Sequence, residues 1–143
     1  MKKVILIVAV LILSQGCSQK GQNMRLAGID SSSTLATTAI LDRVPDPAYE
    51  KTRETVVKIS AELIAFIHTG NLYDLPLNVV KDKLTQFMIT KGYQDYIYIL
   101  DTAFSYISNQ KVKIEDNQIT QIILTSLESI HRSAKRSTLA GKN

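Results

Sequence analysis

From Asp46 to about Lys135, large apolar residues return every three or four positions, the spacing that lines one face of an α-helix. Four stretches carry the pattern. The first runs from Pro47 to about Thr69 and aligns Val56, Ile59, Leu63, Phe66 and Ile67. Asp46-Pro47 reads as its start, a capping residue followed by a proline that tolerates the first turn. Glu50 and Glu54 suit its positive N-terminal end, and Gly70 reads as its stop. The second runs from about Pro76 to Lys91 on Leu77, Val80, Leu84, Phe87 and Met88, and Gly92 ends it. The third runs from about Tyr93 to Ser108 on Tyr93, Tyr96, Ile97, Leu100, Phe104 and Ile107. The fourth runs from near Asp116 to about Lys135 on Ile119, Ile122, Ile123, Leu127 and Ile130, and Lys111 to Ile114 connect it to the third. Short connections between four amphipathic helices predict an all-α fold, a small four-helix bundle over residues 46–143.

Two other regions differ. Met1-Lys2-Lys3 is basic, and Val4 to Leu13 is an unbroken apolar run of ten residues. Ten residues make ~15 Å of helix, and a bilayer core needs about twenty. The run therefore reads as the apolar centre of a secretory leader rather than a permanent span. Residues 18–45 are instead rich in Ser, Thr, Gln, Gly and Asn, with few large apolar residues before Ile40 and Leu41. Such a stretch buries little surface against the entropy of ordering it, so a flexible tether is expected. As a coil its 28 residues span about 30 Å, and fully extended about 95 Å. Leu35 to Leu41 could form a short helix against the bundle.

Composition narrows the picture. Hydrophobic content of 45%, only six Gly and three Pro, and no Trp argue for a compact helical domain over a turn-rich β-sandwich. Lys2 and Lys3 supply two of the four net positive charges, leaving +2 for the rest of the chain. That balance lacks the concentrated basic face of a nucleic-acid binder. The single cysteine, Cys17, allows neither an internal disulfide nor a cysteine metal cluster.

Cys17 closes the run Leu13-Ser14-Gln15-Gly16-Cys17 directly behind the leader. This run resembles the lipobox of bacterial lipoproteins, and the resemblance covers residues 1–17. It implies a signal peptide of residues 1–16 cleaved between Gly16 and Cys17, and diacylglyceryl transfer to the Cys17 thiol. It also implies acylation of the new N-terminus. Several acyl chains give stable anchoring where one chain gives only reversible binding. Ser18, in place of an aspartate after the cysteine, implies the outer membrane, facing the periplasm. Residues 17–45 then form the lipidated cysteine and its tether.

Chemistry is sparse. His68 and His131 end the first and last predicted helices. Glu128 and His131 have the i, i+3 spacing of half a carboxylate-bridged metal site, but Ala65 stands three residues before His68, so the matching half is missing. No metal site is expected, and the default for each histidine is a backbone carbonyl partner. No nucleophile elbow, phosphate loop or dinucleotide fingerprint occurs. No catalytic residue and no cofactor are expected. The basic residues from Arg132 onward suit the negative end of the last helix, and a frayed tail there is the plainest reading.

The third helix holds the informative surplus. Tyr98, Ile99 and Tyr106 lie off its main stripe, with Ile99 and Tyr106 together. Tyrosine outside a core stripe is a common interface anchor. Either these three bind a protein partner, or this helix is buried on two sides. Val57 and Ile64 raise the same question on the first helix. The expected function is a lipid-anchored envelope adaptor, with the layout of the small outer-membrane lipoproteins that pilot secretin subunits. Exclusion lipoproteins of phages or plasmids share that layout. A ligand carrier or enzyme would instead require a cavity lined by convergent charged groups between the helices.

Overall fold

The computed structural model describes residues 19–108 and 114–137, with side chains from Leu26 onward. These residues form an all-helical bundle of five α-helices, one more than the apolar stripes predict. They are α1 (Gln19–Leu41), α2 (Asp46–Thr69), α3 (Leu77–Thr90), α4 (Tyr98–Ser108) and α5 (Asp116–Arg136). A 3₁₀ turn, Gln94–Tyr96, precedes α4. Among the described residues no helix is long and apolar enough to cross a membrane.

The extra helix corrects the tether. Residues 19–41, read as flexible, form a continuous helix packed on the bundle. Its buried positions are Ile29, Ser33, Thr37 and Leu41, one row at intervals of four. The two middle members carry hydroxyls, so an apolar stripe is visible only at its ends. The Ser/Thr run is held helical by its packing on the bundle, and within it some hydroxyls are satisfied by the backbone of the preceding turn. Ser31 donates to the Ala27 carbonyl (3.1 Å), Thr37 to Ser33 (2.8 Å) and Thr38 to Thr34 (3.0 Å).

Helix α5 is the centre of the bundle. Ten of its 21 residues are buried, so two faces are covered rather than one. The face bearing Ile119, Ile123, Leu127, Ile130 and Ala134 belongs to the main core with Val56, Ile59, Leu63 and Ile67 of α2. Fully burying each such aliphatic side chain contributes about 1.5–3 kcal/mol. Helix α2 runs antiparallel to α5. Arg53 donates to the Ala134 carbonyl near one end, and Thr120 donates to the Leu72 carbonyl (2.8 Å) near the other. The second buried face of α5 carries Ser126, Ser129 and Ser133, and it meets α1.

The helix ends follow local chemistry. At the end of α2 the left-handed residue is Asn71 (φ 48°), not Gly70 (φ −80°). The Leu72 N–H reaches the Ile67 carbonyl (3.3 Å), and both side chains are buried, which completes a Schellman ending. Gly92 does take a left-handed φ (75°), with Tyr93 N–H on Met88 (2.8 Å) and Gly92 N–H on Ile89 (3.0 Å). That second Schellman ending pins Tyr93 beside α3, so α4 starts five residues later than the stripe predicts. At the start of α2 the cap position is Pro45, with Asp46 already in the first turn, rather than Asp46 itself.

Candidate functional site

The structure brings the sequence-predicted partner residues to the junction of α1, α2, α4 and α5. Ile99 is 1% exposed. Tyr98 and Tyr106 are half-buried and pack against the core. Tyr106 lies two turns beyond Ile99 on the same side of α4. These residues do not form the bare apolar stripe that a partner anchor requires. Thr37, Ile40 and Leu41 of α1 line a cavity with Tyr98 and Ile99, so α1 covers this part of α4. Val57 and Ile64 are likewise half-buried against the core. Tyr98 and Ile99 thus have an intramolecular cover in a helix that the apolar pattern did not reveal, and Val57 and Ile64 have theirs in the core.

The environment of Tyr98 is correspondingly dry. Burial pushes its phenol up from 10.0 to about 12, and the neighbouring Tyr96 adds to the shift. The two rings are 5.9 Å apart and tilted by 43°. The cavity beside Tyr98 has a volume of about 10 Å³. That is about the space of one water, whereas small-molecule sites occupy ~300–1,000 Å³.

The interface of α1 with α5 is the most distinctive surface in the molecule. Ser33 and Ser126 hydroxyls meet at 2.6 Å, Thr34 and Ser129 at 2.9 Å, and Thr38 and Ser133 at 3.3 Å. The rising numbers on both sides show that the helices run parallel. Ser129 also donates to the Asp30 carbonyl (2.6 Å), and Arg132 forms an ion pair with the Asp30 carboxylate. Beside this row lies an open groove of about 340 Å³, lined by Asp30, Thr34, Thr38, Arg132, Ser133 and Arg136. It contains charged groups that converge, but Arg132 is already engaged by Asp30, and the hydroxyls of Thr34, Thr38 and Ser133 bond within the α1–α5 interface.

The histidines are held by the fold. His131 Nδ1 lies 3.1 Å from the Val57 carbonyl, which can only accept, so this nitrogen carries the proton. The Ser60 hydroxyl sits 3.2 Å from the same atom. His68 Nδ1 is hydrogen-bonded to the Tyr73 hydroxyl. Glu128 is exposed on α5. Among the described residues no group of three His, Cys, Asp or Glu side chains comes close enough to hold a metal ion.

Residues 1–18, with Gly16 and Cys17, lie outside the described residues, as do 109–113 and the tail from 138. Sequence reasoning missed the contact row of Ser33, Thr34 and Thr38 with Ser126, Ser129 and Ser133. Two signals pointed to it. Residues 29, 33, 37 and 41 share a four-residue interval, and serines recur on the last helix at 126, 129 and 133. No protein-family model, no curated protein and no solved structure matches this chain.

Proposed function

We propose that this chain is a lipid-anchored envelope protein whose helical bundle serves as an adaptor or pilot-like module for a partner protein. The leader is removed between Gly16 and Cys17, and acyl chains on Cys17 hold the mature chain on the outer membrane, facing the periplasm. The observation that carries this reading is the position of the chain's one cysteine, at the end of a basic and then apolar leader pattern. Helix α1 adds a geometric consequence. It begins at Gln19, two residues after Cys17, a reach of at most ~7 Å. With α1 docked, the anchored bundle stands against the bilayer and has no leash.

The adaptor part rests on the chemistry of the interior. The cavity beside Tyr98 is water-sized, and in the open α1–α5 groove Arg132 and the hydroxyls are engaged within the protein, which favours a role in surface contact over one in carrying a small molecule. Labelled palmitate supplied to a two-membrane bacterium making the chain should enter the wild type and not Cys17→Ala. The substituted protein should leave the membrane fraction. Absence of label from the wild type, or unchanged fractionation of Cys17→Ala, overturns the proposal.

A further inference from the structure

Helix α1 is joined to the bundle differently from every other helix. Helix α2 is fixed by Tyr49, Val56, Ile59, Leu63 and Ile67, all buried. Among its described side chains, helix α1 fully buries large apolar groups only at Ile29 and Leu41, just over three turns apart at the two ends of its row, with hydroxyls between them. Hydroxyl contacts exchange readily for water, so the main cost of undocking is the apolar surface of Ile29, Leu41 and the residues they cover. The helix also has little strength of its own. Gly21, Gly28, Asp30, the run Ser31 to Thr34, and the Thr37–Thr38 pair all favour coil over isolated helix. Its link to α2 is short, and Asp42, Arg43 and Pro45 in it are exposed. The faces of α2 and α5 that carry Ile59, Leu63, Ile123 and Leu127 are buried against each other as well as against the rest of the bundle.

We propose that α1 is a releasable strap, docked in the structure described here and undocked to bare the α4–α5 face carrying Tyr98, Ile99 and the serine row to a partner helix. This inference rests on the lipid anchor at Cys17, which gives the release its mechanical consequence. Docked, α1 holds the bundle at the bilayer. Undocked, residues 18–45 become a leash that spans about 30 Å as a coil and about 95 Å at full stretch. The occupant of the bared face is a helix of the partner protein, and α1 is its template. It carries aliphatic or hydroxyl residues at intervals of four and a carboxylate placed to meet Arg132, as Asp30 does.

Hydrogen exchange read by mass spectrometry on the full acylated protein in detergent micelles tests the strap. Amides of residues 29–41 should exchange at least roughly 100-fold faster than those of 56–67 and 119–130, because they open without global unfolding. Protection in α1 equal to that in α2 and α5 overturns the inference. A disulfide lock provides the second arm. Cysteines at Ser33 and Ser126, or at Thr34 and Ser129 if the first pair perturbs folding, replace hydroxyls already 2.6 Å or 2.9 Å apart. The lock should slow α1 exchange and abolish in-cell photocrosslinking from position 98, while palmitate incorporation continues. Crosslinking that survives the lock also overturns the strap. Loss of palmitate incorporation in the wild type strikes the anchor instead, so the two failures are distinct.

Discussion

Alanine at Ser33 and Ser126, singly and together, probes the polar seam that holds α1. The two hydroxyls are 4% and 1% exposed and meet at 2.6 Å, so water has little access to either. Removing one leaves the other buried without this contact, a loss of about 1–3 kcal/mol. Removing both leaves no stranded group, and the double variant should recover much of the sum, with a coupling near 1 kcal/mol. Because about 1.4 kcal/mol is a factor of ten in an equilibrium constant, each single variant should speed exchange of α1 amides roughly 5- to 150-fold. The double variant should fall short of the product of the singles by roughly fivefold. Amide exchange over residues 29–41 is the assay, with residues 119–130 as the internal reference. Single effects that simply multiply would refute the reasoning, since they would mean that the two hydroxyls do not bond each other.

Three further outcomes follow from the same structure. Ile123→Ala deletes a fully buried side chain on the central helix, and it should lower the unfolding free energy in urea by about 2–5 kcal/mol. Leu35→Ala, at a position 53% exposed, should stay within about 0.5 kcal/mol of the parent. The Tyr98 phenol is raised from 10.0 to about 12 in the folded chain, so folding favours its protonated form. That contribution is intact below pH 10 and is lost as the pH rises through about 12. Tyr98→Phe should therefore resist alkaline unfolding in this window better than the parent, and ultraviolet absorbance titration should lose the phenolate that forms near pH 12.

Four of the helices were legible because their buried faces are continuous in aliphatic and aromatic residues. Val56, Ile59, Leu63 and Ile67 on one, and Ile119, Ile123, Leu127 and Ile130 on another, repeat at helical spacing and are buried as expected. Helix α1 was legible only at its end, Leu35 to Leu41. Its segment has the composition of a coil, and the term that orders it comes from Ser126, Ser129 and Ser133, about 95 residues away in sequence. Local propensity carries no information about a partner so distant. The misreading propagated to the site. With no fifth helix in view, Ile99 and Tyr106 had no intramolecular cover, and a surface anchor was an open reading. In the structure Ile99 is core, and under the strap proposal a partner reaches it only when α1 moves. The Gly70 stop held in position, since the helix ends at Thr69 with Gly70 as its cap, but the conformation of the ending differs. The left-handed position is one residue later, and Asn71 tolerates it.

The mass of the mature protein, extracted from the membranes of a two-membrane bacterium and measured intact with its N-terminal peptide sequenced by fragmentation, tests the central claim most directly. The account predicts a chain starting at Cys17 with acyl groups on its thiol and its amino terminus. A chain that retains Met1, or is cut elsewhere, with Cys17 unmodified would contradict it.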